Sequence, residues 1–193
     1  FCSAFLGYEI GIHAPGKVGK QYGRKAAHHL LLAHGLAMTV LKQNSPTTLN
    51  GIVLNFTPCY SISENADDIA ATAFADDYLN QWYMKPIMDG AYPAIIEQLP
   101  CEHLPDIHDG DMAIISQSID YLGINFYTRQ FYKAHPTEIY EPIKPTGPLT
   151  DMGWEIYPES FTELLVTLNN TYALPPIFIT ENGAAMPDSY NNG

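Results

Sequence analysis

Three short apolar runs constrain the fold of this chain more than any other feature. They are Gly51-Ile-Val-Leu-Asn-Phe56, Tyr121-Leu-Gly-Ile-Asn-Phe-Tyr127 and Pro176-Ile-Phe-Ile-Thr180. Each lies between turn residues and lacks a polar alternation, the pattern of a strand covered on both faces. The stretches between them carry apolar residues at helical spacing. Ala27, Leu30, Leu31, Ala37, Met38 and Leu41 predict a helix over 22–42, with Gly35 as its weak point and Asn44-Ser45-Pro46 as its stop. Ile69, Ala73, Phe74 and Tyr78 predict another over 66–82, capped by Asn65 or Asp67. A short helix is expected over 91–98 with Pro93 in its first turn, and a further one over 161–171, entered through Pro158. Residues 1–21 are Gly-rich, and 133–153 contain Pro136, Pro142, Pro145 and Pro148; both read as long loops.

Helices alternating with buried strands define an α/β fold with parallel strands. A polar residue stands at the C-terminal tip of each strand: Asn55, then Asn125 and Tyr127, then Glu181. In a parallel (β/α)8 barrel that face carries the site. Parallel strands near 51–56, 121–127 and 176–181 are too few to close such a barrel, so the chain is expected to be part of one.

The charge balance limits the partners. Nine basic and 21 acidic residues give a net charge of −12, which disfavours nucleic acid and anionic membranes, both of which need clustered Lys and Arg. No apolar run reaches the length of a membrane span. Phe1 to Tyr8 lack the basic start of a signal peptide and read as the middle of a protein. Cys2, Cys59 and Cys101 form no CxxC pattern; free thiols point to a reducing compartment, hence the cytoplasm. His28, His29 and His34 lack the i, i+4 spacing of a helical metal pair and read as solvated or structural. Asp106, Asp109 and Asp111 read as a polar loop. No metal or cofactor is expected.

Glu181 is the sharpest chemical candidate. A carboxylate at the mouth of a dry strand is partly desolvated and held by rigid backbone, as a nucleophile requires. Asn182-Gly183 turns the chain away and leaves the position open. Asn125 and Tyr127, two residues apart, point to one face of their strand.

Several motifs occur together and in order: Cys2-Ser-Ala-Phe-Leu-Gly-Tyr8, His13-Ala-Pro-Gly16, Tyr121-Leu-Gly-Ile-Asn-Phe-Tyr-Thr-Arg129, Met152-Gly-Trp-Glu-Ile-Tyr-Pro158 and Ile179-Thr-Glu-Asn-Gly183. Over nearly the whole chain this resembles family 1 glycoside hydrolases, the β-glucosidase family. The resemblance implies retaining hydrolysis of terminal β-linked glucosides or cello-oligosaccharides. Glu181 matches the nucleophile, Tyr127 the tyrosine bonded to it, Asn125 a strand-end asparagine near the catalytic pair, and Trp154 the tryptophan stacked on the leaving-group sugar. Asn55 is a further substrate-binding candidate. Ser160 stands where the family usually has Gly. The family's acid/base Glu lies in an Asn-Glu-Pro tripeptide that would directly precede Phe1. Residues 1–193 therefore read as one segment of a single catalytic barrel, from the end of strand four to just past strand seven. It is incomplete at both ends, with the rest of the barrel as its partner. Two alternatives remain open: a 6-phospho-β-glucosidase, and a non-catalytic sugar-binding relative or inactive fragment.

Overall fold

The computed structural model describes residues 1–188. The chain opens with π-helical turns at Cys2–Glu9, where a loop was expected, and continues irregularly to the Ile10–Val18 bridge. Then follow α1 (Lys20–Asn44), β1 (Gly51–Phe56), β2 (Cys59–Ser61) and α2 (Ala66–Asp76). Asn65 is the cap of α2: its side chain accepts from the Asp67 N–H at 3.0 Å. The helix does not end at 82 as expected. A π-helical turn at Asp77–Gln81 leads into α3 (Trp82–Asp89), which ends at the left-handed Gly90. The expected helix at 91–98 is a 3-10 turn, Ala94–Gln98, with Pro93 as its cap instead of in its first turn. The remaining elements are a 3-10 turn at Cys101–His103, α4 (Asp111–Ile115), β3 (Tyr121–Phe126), β4 (Gln130–His135), β5 (Ile139–Ile143), α5 (Glu159–Thr171) and β6 (Ile177–Asn182).

The three predicted strands form one parallel sheet in the order β1-β3-β6. Leu54, Phe56, Leu122, Ile124 and Phe126 alternate along it and are buried. Phe126 stacks on Phe161 of α5 at 4.6 Å, with ring planes 3° apart. The opposite face holds Val53 and Phe178, both substantially exposed. A second sheet, β2-β4-β5, follows from the tips of β1 and β3, with β2 parallel to β4 and β5 antiparallel to it. The expected loop at 133–153 therefore holds a hairpin. Its Pro142 sits on β5 at the edge of the sheet, where a missing N–H breaks no ladder bond.

Two further readings are corrected. Gly35 is a contact point and not a weak one: a Cβ there would lie 1.9 Å from the Ile114 carbonyl oxygen, so the glycine lets α1 close on α4. Asp111 is not loop surface but starts α4, buried, where its carboxylate accepts from the His108 N–H at 2.6 Å and faces His28 Nε2 at 3.1 Å. These bonds hold its carboxyl below the usual range. His28 Nδ1 meets the Tyr92 hydroxyl at 2.8 Å, so this histidine ties α1 to α4 and the Tyr92 segment. Beside it, Arg24 is fully buried against Glu9 at 3.0 Å, lies 3.8 Å above the Tyr78 ring and donates to the Tyr78 carbonyl at 2.9 Å.

Candidate active site

The site stands at the C-terminal tips of β3 and β6, and a local irregularity builds it. Ile124 pairs with Ile179, but Asn125 pairs with Glu181, so Thr180 is an extra residue in β6. Phe178 pairs with Gly123 and Glu181 with Asn125. Gly123 and Asn125 share one face of β3, so the bulge carries Glu181 onto that face too. In a regular strand, residues three apart face opposite ways, and Glu181 would point among the helices. Thr180 also turns inward, and its hydroxyl donates to Asn125 Oδ1 at 2.6 Å. Asn182 Nδ2 donates to the Phe126 carbonyl at 2.9 Å and fixes the end of the pairing.

Tyr127 follows β3 directly, and its hydroxyl donates to Glu181 Oε2 at 2.5 Å. That length belongs to a charge-assisted O–H···O⁻ bond. The bond, with smaller contributions from burial and the carboxylate charge, pushes the Tyr127 phenol above its ordinary value near 10. Trp154 packs against Tyr127, with ring centroids 5.3 Å apart and planes inclined by 51°. It projects from a tight turn in which Thr150 N–H donates to the Trp154 carbonyl at 2.8 Å and Trp154 N–H to Thr150 Oγ1 at 3.2 Å. Gly153 takes φ 75° in that turn. Asn55 stands level with Asn125 on the neighbouring β1 and is half-buried.

The structure thus gathers Glu181, Tyr127, Asn125 and Trp154 and sets Asn55 one strand away. A strand-tip carboxylate with one oxygen engaged and its surface open suits nucleophilic or general-base chemistry. Thr180 was missed: it shares the inward face of Phe178 by ordinary alternation, but nothing in the sequence links its hydroxyl to Asn125 on the neighbouring strand. Glu155 was missed as well, and its one clue is its place beside Trp154. Among the described residues no three His, Cys, Asp or Glu side chains converge on a metal position. No described helix is long and apolar enough to cross a membrane.

Parallel strands with helices on one face and a carboxylate–tyrosine pair at the strand tips are the architecture of a (β/α)8-barrel enzyme, of which this chain is a part. The sequence matches glycosyl hydrolase family 1 over residues 1–193, and the chain belongs to that family. It is 35% identical to β-glucosidase A of Acetivibrio thermocellus, over 96% of this chain and 43% of that protein. The crystal structure of a β-glucosidase from Exiguobacterium marinum superposes with a TM-score of 0.93 at 38% identity, covering 99% of this chain and 45% of that one. Virulence factor SghA of Agrobacterium tumefaciens, in complex with its substrate analog salicin, superposes at 0.94 with 32% identity, over 100% of this chain and 44% of that one. The chain thus spans less than half the length of these relatives.

Proposed function

We propose that the complete protein containing this chain is a retaining β-glycosidase acting on terminal β-linked glucosides and cello-oligosaccharides. Residues 1–193 would be the part of its single barrel from the end of strand four to just past strand seven. The observation that carries this reading is the 2.5 Å bond from Tyr127 to Glu181 at a strand tip. It fixes one carboxylate oxygen of a residue that stays exposed at the strand tip.

In the proposed reaction Glu181 attacks the anomeric carbon as the bond to the leaving oxygen breaks. A second carboxyl group protonates that oxygen; the family resemblance assigns it to the Glu of an Asn-Glu-Pro tripeptide before Phe1. The same group then takes a proton from water, whose oxygen displaces Glu181 and releases the sugar with its configuration retained. Asn125, oriented by Thr180, and Asn55 line the sugar side, and Trp154 offers a flat apolar face to the leaving-group sugar. The three cysteines are free, and we place the protein in the reducing cytoplasm on that basis.

Chemical rescue tests the assignment. Glu181→Gly in the complete protein should abolish hydrolysis of an aryl β-glucoside, and azide should restore turnover with an α-glucosyl azide as product. Hydrolysis that survives the substitution would refute it. An aryl glucoside phosphorylated at O6, assayed in parallel, tests the substrate class, and its preferred turnover would overturn the plain-glucoside assignment alone.

A further inference from the structure

The turn that carries Trp154 is anchored by an ion pair that the proposed chemistry does not use. Arg129 grips Glu155 with both arms of its guanidinium, Nε at 2.7 Å and an Nη at 3.2 Å, and both side chains are largely buried. The guanidinium also lies 3.3 Å from the centre of the Tyr157 ring, 4.6 Å from that of Phe131 and 4.8 Å from that of Tyr60. Arg129 therefore joins the segments that follow β1, β3 and β5. Between Tyr127 and Arg129, the Thr128 hydroxyl donates to the Glu155 carbonyl at 2.9 Å. Glu155 adjoins Trp154 and bridges Leu149 at the base of the turn. The turn's outer end is tied to the chain beyond Glu181, with Asp151 N–H donating to the Ala185 carbonyl at 2.9 Å.

Stability alone is a poor reason for this arrangement. Replacing a buried ion pair by apolar residues of similar volume is often neutral or stabilising. What a forked pair supplies is direction: it fixes two backbones in distance and angle. Here those backbones carry Tyr127 and Trp154.

We propose that Arg129 and Glu155 are positioning residues that set Trp154 against Tyr127 and so determine selectivity for the leaving-group sugar. The proposal rests on the reading of Glu181 as nucleophile and of Trp154 as the face for that sugar. Lysine keeps the charge of Arg129 but loses the fork and the planar stacking. Glutamine keeps the shape of Glu155 but loses its charge.

The test uses the complete protein and two substrates with one glucosyl group, a cello-oligosaccharide and β-glucosyl fluoride. Labelling of Glu181 in the unaltered protein by a 2-fluoro glucosyl fluoride is checked first; its failure would remove the underlying reading, whatever the variants do. With that label in place, Arg129→Lys and Glu155→Gln should each lower kcat/KM for the cello-oligosaccharide by about 10- to 100-fold, the range for a displaced positioning group. For the fluoride, which has no leaving-group sugar, kcat/KM should stay within about twofold. Equal losses on both substrates would assign the pair a general structural role and overturn the proposal, as would no loss on either.

Discussion

Replacing Tyr127 by Phe probes the site at the point where its geometry is tightest. The phenylalanine keeps the ring that packs on Trp154 at 5.3 Å, so the substitution isolates the hydroxyl. The lost bond is a 2.5 Å donation to a carboxylate, which is stronger than a bond between neutral groups. If the bond steadies Glu181 as its charge moves to the anomeric carbon, its loss lowers kcat/KM by about 10- to 150-fold, the range for a bond to a charged group. The pH profile gives a second check. The Glu181 bond raises the Tyr127 phenol above its ordinary range, so it stays protonated through neutral pH and does not set the alkaline limb of activity. Tyr127→Phe should therefore lower the whole profile and leave the alkaline limb where it was. The assay is steady-state hydrolysis of an aryl β-glucoside between pH 5 and 9, with KM and kcat separated. An unchanged rate, or an alkaline limb that vanishes with the hydroxyl, would refute the reasoning.

Other positions yield predictions about the scaffold, to be measured by denaturant unfolding of the complete protein. Gly35→Ala gains about 1 kcal/mol of helix propensity. It also drives a methyl group to within 1.9 Å of the Ile114 carbonyl oxygen. Overpacking against backbone costs about 1–3 kcal/mol, so the variant should be less stable, and a gain in stability would contradict the close approach of α1 to α4. Arg24→Met strands the buried Glu9 carboxylate with the Tyr78 hydroxyl at 2.7 Å as its remaining donor, and should cost about 3–5 kcal/mol. Adding Glu9→Gln should recover much of that loss, and a double variant no better than the single one would show that the pair is not coupled.

The parts of the fold that were legible in the sequence are those whose signal is local. The parallel strands were visible because Ile52, Leu54, Leu122, Ile124 and Ile177 give runs with no polar alternation. The β4–β5 hairpin was hidden because Pro142 argues against a strand until its place at the sheet edge is known. Glu181, Tyr127, Asn125 and Trp154 could be picked out by motif, yet their convergence depends on the bulge at Thr180. A one-residue slip of that kind leaves no trace in composition or periodicity, because it is a property of pairing between strands. The His28–Asp111 and Arg129–Glu155 contacts were illegible for a related reason. Their partners lie 83 and 26 residues apart, and no spacing rule links side chains across such separations.

The central claim is that Glu181 forms the covalent bond to the sugar. The most direct test treats the complete protein with a 2-deoxy-2-fluoro-β-glucoside bearing an activated leaving group, digests it with protease and locates the label by mass spectrometry. The predicted result is a stoichiometric fluoroglucosyl adduct on the peptide containing Ile179-Thr-Glu-Asn-Gly183, assigned to Glu181. An adduct on any other residue, or turnover of the reagent with no trapped enzyme, would contradict the account.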